Sequence, residues 1–250
     1  TSLDTDIVQS EQFIRQDGKE DFNMDFEIRG DNLQVLEVNL DSGESMYTES
    51  GGMSWMSKNI KMKTDTHGGM MKGIGRMFSG ESLFMTTYSA QQNGESIAFA
   101  SEFPGKIVHQ DMGAGDSIIA QRDAFMCAES SVEMEVHFRK KLGAGLFGGE
   151  GFIMQKITGP GDTFFELSGE IVERELETGE TIKVDPGHIG LFETSVDMDI
   201  TRVKGVKNIF FGGEGLFLAT LTGPGKIWLQ SMPLMNLARR LNPYLSSGSS

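Results

Sequence analysis

Hydrophobic and polar residues alternate in three similar segments of the chain. These segments contain Ile60-Lys61-Met62, residues 132–136 and residues 196–200. Alternation with a period of two places successive side chains on opposite faces of a β-strand. Met62, Met134 and Met198 occupy the same position in the three segments. We therefore predict three strands in which all three methionine side chains point into the core.

Each alternating segment is followed by a loop, a glycine-glutamate motif and a second apolar segment. The motif is FSGESLF at 78–84, FGGEGFI at 147–153 and FGGEGLF at 211–217. The apolar segments after it predict strands at 83–89, 152–158 and 216–222, and further strands at 106–108, 163–167 and 226–229. The predicted structural glycines of these turns are Gly80, Gly149, Gly213, Gly161 and Gly225.

This succession of alternating segment, loop, glycine-glutamate motif and apolar segment occurs three times. Its second and third copies contain Gly-Pro-Gly between consecutive predicted strands, at 159–161 and 223–225. Proline followed by glycine fits the two central positions of a type II turn, because proline fixes a negative φ and glycine accepts a positive one. Copy one departs from the pattern, with Ser79 and Ser82 in place of motif glycines.

Repetition of this size predicts one structural unit present three times. We expect a single all-β unit of three tandem pseudo-symmetric modules: repeat one at about 20–103, repeat two at 104–160 and repeat three at 161–232. Residues 233–250 form a short C-terminal helix and a tail. Ser231 as the cap, Pro233 in the first turn and apolar residues along one face predict that helix up to Leu241.

Composition and charge narrow the class of protein. The 250 residues include 32 glycines and 6 prolines, which is typical of a turn-rich β protein. A net charge of −14 argues against nucleic-acid binding through phosphates. A single cysteine, Cys127, fits a reducing compartment. No apolar run approaches the about 20 residues of a membrane-spanning helix, so we expect a cytoplasmic protein, with peripheral membrane association as an open alternative.

The Gly-Gly-Glu-Gly segment followed by Thr-Gly-Pro-Gly, at 148–161 and again at 212–225, resembles the "altered inheritance of mitochondria" family. The resemblance extends from about residue 20 to 232. It implies an all-β fold similar to that of the tryptophan-sensing RNA-binding attenuator, with a double-stranded β-helix or sandwich arrangement, and a bacterial source. The family has no agreed activity or catalytic residues, so none is transferred to this chain.

The three motif glutamates, Glu81, Glu150 and Glu214, are the sharpest candidates for chemistry. A pseudo-threefold arrangement could bring them together as an oxygen-rich cage for Ca²⁺ or Mg²⁺. The alternative, which we favour, is that each glutamate caps backbone N–H groups in its own turn.

The loops before the motif carry cations together with glycine and apolar residues. Equivalent loops of a pseudo-symmetric body project from one end, which predicts a surface that binds an anionic partner. The alternative is that the phenylalanines close the end of the fold and the cations offset local acids. We call these segments the basic loops. Their basic residues are Lys72 and Arg76 in the first loop, Arg139, Lys140 and Lys141 in the second, and Arg202, Lys204 and Lys207 in the third.

The predicted function is that of a non-enzymatic binding or scaffold protein, without cofactor, that docks on a membrane surface or a protein assembly. Homo-oligomerisation is compatible with this prediction. The alternative is a sensor or enzyme that binds a metal or small molecule at the glutamate triad. The scattered histidines and the absence of a nucleophile motif give neither a reaction nor a metal.

Overall fold

A computed structural model describes residues 24–49, 51–65, 85–140, 151–203, 217–241 and 244. The regular secondary structure of this part of the chain is almost entirely β-strand, with one short α-helix near the C-terminus, so the all-β prediction is confirmed.

The strands and the helix are numbered in chain order. Their bounds are β1 (Asp25–Arg29), β2 (Val35–Leu40), β3 (Ser45–Glu49), β4 (Trp55–Met56), β5 (Ile60–Asp65), β6 (Met85–Ala90), β7 (Glu95–Ala100), β8 (Gly105–Met112), β9 (Ser117–Gln121), β10 (Phe125–Glu129), β11 (Glu133–Lys140), β12 (Phe152–Thr158), β13 (Gly161–Ser168), β14 (Ile171–Leu176), β15 (Thr181–Val184), β16 (Ile189–Glu193), β17 (Asp197–Arg202), β18 (Phe217–Thr222), β19 (Gly225–Gln230) and α1 (Leu234–Leu241).

Within the described ranges the strands form four antiparallel sheets. The four-stranded sheet has the order β1-β2-β7-β4, and the three-stranded sheet has the order β15-β18-β17. The two six-stranded sheets have the orders β5-β6-β3-β10-β13-β8 and β11-β12-β9-β16-β19-β14. Raising each strand number of the first six-stranded sheet by six gives the second, so the two sheets share one topology.

Among the described residues, the core consists of three apolar clusters that lie between these sheets. The central cluster joins the two six-stranded sheets and includes Tyr47, Met134 and Phe165. A second cluster packs the four-stranded sheet against the first six-stranded sheet, and a third packs the three-stranded sheet against the second. Consecutive residues Phe164 and Phe165 of β13 enter different clusters, because successive side chains of a strand point to opposite faces.

The three methionines predicted to face the core differ from one another. Met134 is fully buried and Met198 packs against the third cluster, but Met62 is 57% exposed, so the prediction is wrong for Met62. Met62 lies on β5, which is an edge strand of its sheet, and nothing described covers that face. Of the two tryptophans, Trp228 is buried and Trp55 is 51% exposed.

Three acidic side chains close tight turns in the same way. Each accepts a hydrogen bond from the backbone N–H three residues earlier, and each follows a glycine with a positive φ. The bonds are Asp41 N to Glu44 Oε2 (2.7 Å), Gly113 N to Asp116 Oδ2 (2.8 Å) and Glu177 N to Glu180 Oε2 (3.0 Å).

The two Gly-Pro-Gly turns adopt a conformation that the sequence pattern did not predict. The Gly159–Pro160 and Gly223–Pro224 peptides are cis, and Gly161 and Gly225 have φ values of 132° and 136°. Asp162 N donates to Glu129 Oε2 (2.7 Å) and Lys226 N donates to Glu193 Oε2 (3.0 Å), instead of closing a type II turn. The predicted positive φ at these glycines is therefore correct, but the predicted turn type is wrong.

The C-terminal helix is present as predicted, but it starts three residues after the proposed cap. Ser231 does not cap it, since the Ser231 hydroxyl accepts a hydrogen bond from Glu170 N (2.8 Å). The Pro233 carbonyl accepts the first helical bonds, from Asn236 N and Leu237 N. Leu234 and Leu241, on the predicted apolar face, are 44% and 48% exposed.

We expect Gly161→Ala to lower the free energy of unfolding by about 2–4 kcal/mol, because the new side chain combines a positive φ with steric overlap. A Cβ at this position would lie 2.7 Å from Glu129 Oε2 and 2.8 Å from Ser131 Oγ. Urea denaturation measures the change. The control is Gly115→Ala, which has a φ of 88° but no atom within 4 Å of its Cβ, and should cost about 1–2 kcal/mol. Equal losses for both variants would contradict the steric argument.

Candidate functional site

Most of the residues that the sequence marks as functional lie outside the described ranges. These are the glutamates and glycines of the repeated motif and most cations of the basic loops, namely Glu81, Glu150, Glu214, Gly80, Gly149, Gly213, Lys72, Arg76, Lys141, Lys204 and Lys207. Arg139, Lys140, Arg202, Gly161 and Gly225 are within the described ranges.

Two of the predicted basic loops begin at strand ends that contact each other. Lys140, the last residue of β11, donates a hydrogen bond from Nζ to the backbone carbonyl of Ile200 in β17. Arg139 on β11 and Arg202 at the end of β17 are both exposed. The contact therefore joins the strand ends that precede the second and third basic loops.

A second feature, which the sequence did not suggest, is a cleft with a volume of about 320 Å³. Its polar lining comes from four separate segments. Glu49 ends β3, Glu102 follows β7, Arg122 and Asp123 lie in a 3-10 turn after β9, and Glu166 belongs to β13. We refer to this cavity as the acidic cleft.

The apolar wall of the acidic cleft includes Phe103, Phe125 and Met126. The pairing of β10 with β13 shifts register between Phe125 and Cys127, so Met126 is a bulge residue. Its carbonyl oxygen accepts a hydrogen bond from the Thr48 hydroxyl at 2.5 Å. A β-bulge changes the direction of its side chain relative to the regular strand, and this bulge places Met126 in the wall of the cleft.

Glu49 lies in an unfavourable position for a charged carboxylate. Burial raises its pKa, the Arg122 guanidinium opposes that increase, and the negative charges of Asp123 and Glu102 raise the pKa further. The Arg122 Nε–Glu49 Oε1 distance is 3.9 Å, which is a long ion pair. One nearby cation therefore does not offset burial and two like charges.

Glu166 is the most deeply placed carboxylate of the cleft, with 7% of its surface exposed. Burial raises its pKa, while a hydrogen bond from the Phe103 backbone N–H (3.4 Å) opposes the increase. Glu102 adds a further increase through its charge. Buried carboxylates with raised pKa values are typical of binding and catalytic sites.

His109 and Asp162 form a pair farther along β13, on the same face as Glu166; Asp162 is buried and the His109 side chain is 26% exposed. His109 Nε2 is 2.5 Å from Asp162 Oδ1, and Asp162 Oδ2 accepts a hydrogen bond from Met24 N (3.3 Å). Phe26 and Phe164 pack against the imidazole, with ring centroids 4.6 Å and 5.0 Å away. The pair thus holds the start of β1 against β8 and β13. Pairing of residues 109 and 162 across two strands has no sequence signal.

Among the described residues, no three His, Cys, Asp or Glu side chains are arranged to hold a metal ion. The described helix is also too short and too polar to cross a membrane.

Comparison with known proteins places the chain in a family. The family model described as "Mitochondrial biogenesis AIM24" matches residues 26–232. The chain belongs to the AIM24 family. The resemblance inferred from the repeated motif is therefore confirmed.

Two proteins of Streptococcus pyogenes are similar to this AIM24-family chain. The uncharacterized protein M6_Spy0233 of serotype M6 is 31% identical over 223 residues, which is 86% of this chain and 88% of that protein. The crystal structure of the protein SPYM3_0169 has a TM-score of 0.71 and 26% identity, and covers 89% of this chain and 100% of that one. Neither name states an activity, so the family assignment supports the fold and leaves the function to the site residues.

Glu166→Gln should stabilise the protein more at pH 7 than at pH 4.5. A carboxyl whose folded-state pKa is raised contributes most to stability below its unfolded pKa, and that contribution is lost as the pH rises through the folded pKa. Glutamine does not titrate and therefore lacks this loss. Urea denaturation at several pH values measures the difference between the variant and the wild type. Exposed Glu170→Gln is the control, and an equal pH trend in both variants would contradict the prediction.

Asp162→Ala should lower the free energy of unfolding by about 1–3 kcal/mol, because His109 Nε2 and Met24 N both lose their acceptor. Hydrogen exchange should show the largest increase at the amides of β1. Asp25→Ala, at an exposed position on β1, serves as control and should change stability by about 0.5 kcal/mol or less. A uniform increase in exchange across all strands would argue against a local role for the pair.

Proposed function

We propose that the protein is a non-enzymatic binding protein that docks on an anionic membrane surface through its basic loops. The observation that carries the proposal is the hydrogen bond from Lys140 Nζ to the Ile200 carbonyl. It supports a common face for the two loops, because Lys140 lies at the start of the second basic loop and Ile200 lies in the strand that leads into the third. Arg139 and Arg202 are exposed beside this contact.

The charge of the whole chain makes a local basic surface necessary for such docking. With a net charge of −14, the protein as a whole is repelled by an anionic membrane. Each lysine or arginine held near an anionic membrane surface contributes about 1 kcal/mol of binding free energy, so several cations on one face of the protein are needed. The apolar residues of the same loops would insert shallowly into the membrane and strengthen the binding.

The proposal includes three equivalent modules, because only equivalent modules bring all three loops to one end. The shared strand order of the two six-stranded sheets supports this part of the proposal. So do the three matching acidic turns at Glu44, Asp116 and Glu180.

Co-sedimentation with vesicles tests membrane docking. Wild-type protein should bind vesicles that contain a quarter phosphatidylglycerol, should not bind pure phosphatidylcholine, and should be released by 0.5 M NaCl because salt screens exposed charges. Arg139→Glu combined with Arg202→Glu should weaken binding by at least about 30-fold, because the loss of two cations alone accounts for this factor and the two added carboxylates are repelled by the membrane.

The matched control combines Lys58→Glu with Lys183→Glu, two exposed lysines outside the basic loops, and changes the net charge equally. It should retain most of the binding. Equal weakening by both double variants would show a dependence on total charge alone and contradict a docking face. Absence of wild-type binding to the anionic vesicles would contradict the proposal as a whole.

A further inference from the structure

The acidic cleft combines a defined volume with walls of two kinds. Its volume of about 320 Å³ is at the small end of the range of ligand-binding cavities. Phe125 and Met126 are buried within its apolar wall, and Glu166, which is more than nine-tenths buried, forms part of its polar wall. The cavity is therefore built from core side chains and does not consist only of charges on a surface.

The charges that line the acidic cleft are not balanced. Among the described residues that line the cleft, Glu49, Glu102, Asp123 and Glu166 are accompanied by a single cation, Arg122. The Arg122 Nε–Glu49 Oε1 distance is 3.9 Å, and Glu166 accepts a hydrogen bond from the Phe103 backbone N–H. Glu166 is buried and Glu49 is half-buried, whereas Glu102 and Asp123 are exposed. Buried charge is costly unless it is paired, so a cation beside Glu166 and Glu49 would be bound more strongly than at an exposed acidic surface.

The apolar wall favours one kind of cation. A hydrated metal ion makes no favourable contact with Phe103, Phe125 and Met126. An organic cation can pack its apolar part against these side chains and place its charge near the carboxylates. We propose that the acidic cleft binds an organic cation, namely a guanidinium or primary amine on a short apolar stem. This inference is independent of membrane docking, because the residues that carry it lie outside the basic loops.

The volume limits the size of the ligand. At about 30 Å³ for each water-sized group, the cleft holds about ten non-hydrogen atoms. A free small amine fits this limit, and so does the side chain of an arginine or lysine that belongs to another protein. Both sources present the same chemistry to the cleft.

Calorimetric titration with n-butylguanidinium and N-butylurea tests the proposal, because the two probes have nearly the same shape and differ in charge. We expect the cation to bind at least about tenfold more tightly than the neutral probe. Its affinity should decrease from pH 8 to pH 5, because protonation removes the negative charge of the carboxylates. Equal affinity for the two probes, or no binding of the cation at millimolar concentration, would overturn the proposal.

Variants show whether the cation occupies the acidic cleft. Glu166→Gln and Glu49→Gln each keep the shape of the side chain and should weaken n-butylguanidinium binding by about tenfold. The matched control is Glu129→Gln: burial also raises the pKa of Glu129, but this residue is outside the cleft lining. In this control variant the affinity for n-butylguanidinium should change by less than about twofold. Equal weakening by the control would rule out a specific site.

The source of the cation is distinguished by a third probe, the blocked tripeptide acetyl-Gly-Arg-Gly-amide. Tighter binding of the tripeptide than of n-butylguanidinium assigns the cleft to a side chain of a protein partner, whereas exclusion of the tripeptide assigns it to a free small molecule. An NMR shift of the Phe103 amide, which donates to Glu166, reports occupancy of the cleft with either probe. A saturable calorimetric signal without that shift would place the cation elsewhere and overturn the assignment.

Discussion

The structure depends on two strand pairs that join distant parts of the chain. β3 pairs with β10 through Tyr47 and Ala128, and β9 pairs with β16 through Ala120 and Leu191. Each pair lies at the centre of a six-stranded sheet, and these residues also belong to the central apolar cluster. Loss of either pair would therefore divide a sheet and open the main core, so we expect these central strands to open only when the whole fold unfolds.

The same junction explains the position of the acidic cleft. β3 contributes Glu49 and the Thr48 hydroxyl, and β10 contributes the bulge at Met126 that this hydroxyl bonds. The wall of the cavity is thus held by the strand pair that holds the sheet, so its shape is fixed by the fold. The basic strand ends at Lys140 and Arg202 belong instead to β11 and β17, in the other two sheets that share the third apolar cluster. The acidic cleft and these basic strand ends are accordingly built on separate elements.

The sequence predicted local structure well and tertiary arrangement poorly. The strand at Phe152–Thr158 has its predicted bounds, because apolar alternation and flanking glycines are local signals. The side of Met62 was predicted wrongly, since periodicity separates two faces but does not show which one another sheet covers. The turn at Pro160 was also wrong, because Asp162 N bonds to the distant Glu129 and this bond has no local signal. Glu49 and Glu166 could not be grouped in advance for the same reason: a cavity formed by separate strands has no motif.

The strand order has a consequence for synthesis of the protein on the ribosome. The first six-stranded sheet requires β13, which ends at Ser168, and the second requires β19, which ends at Gln230. Neither sheet can be completed before its later strands have left the exit tunnel. Until their partners emerge, β3 and β9 expose the edges that pair at the centres of the sheets. Unpaired strands with apolar side chains are prone to aggregate. Nascent chains of this protein consequently have a long interval in which chaperones can bind them, and the interval ends only when the last strands emerge.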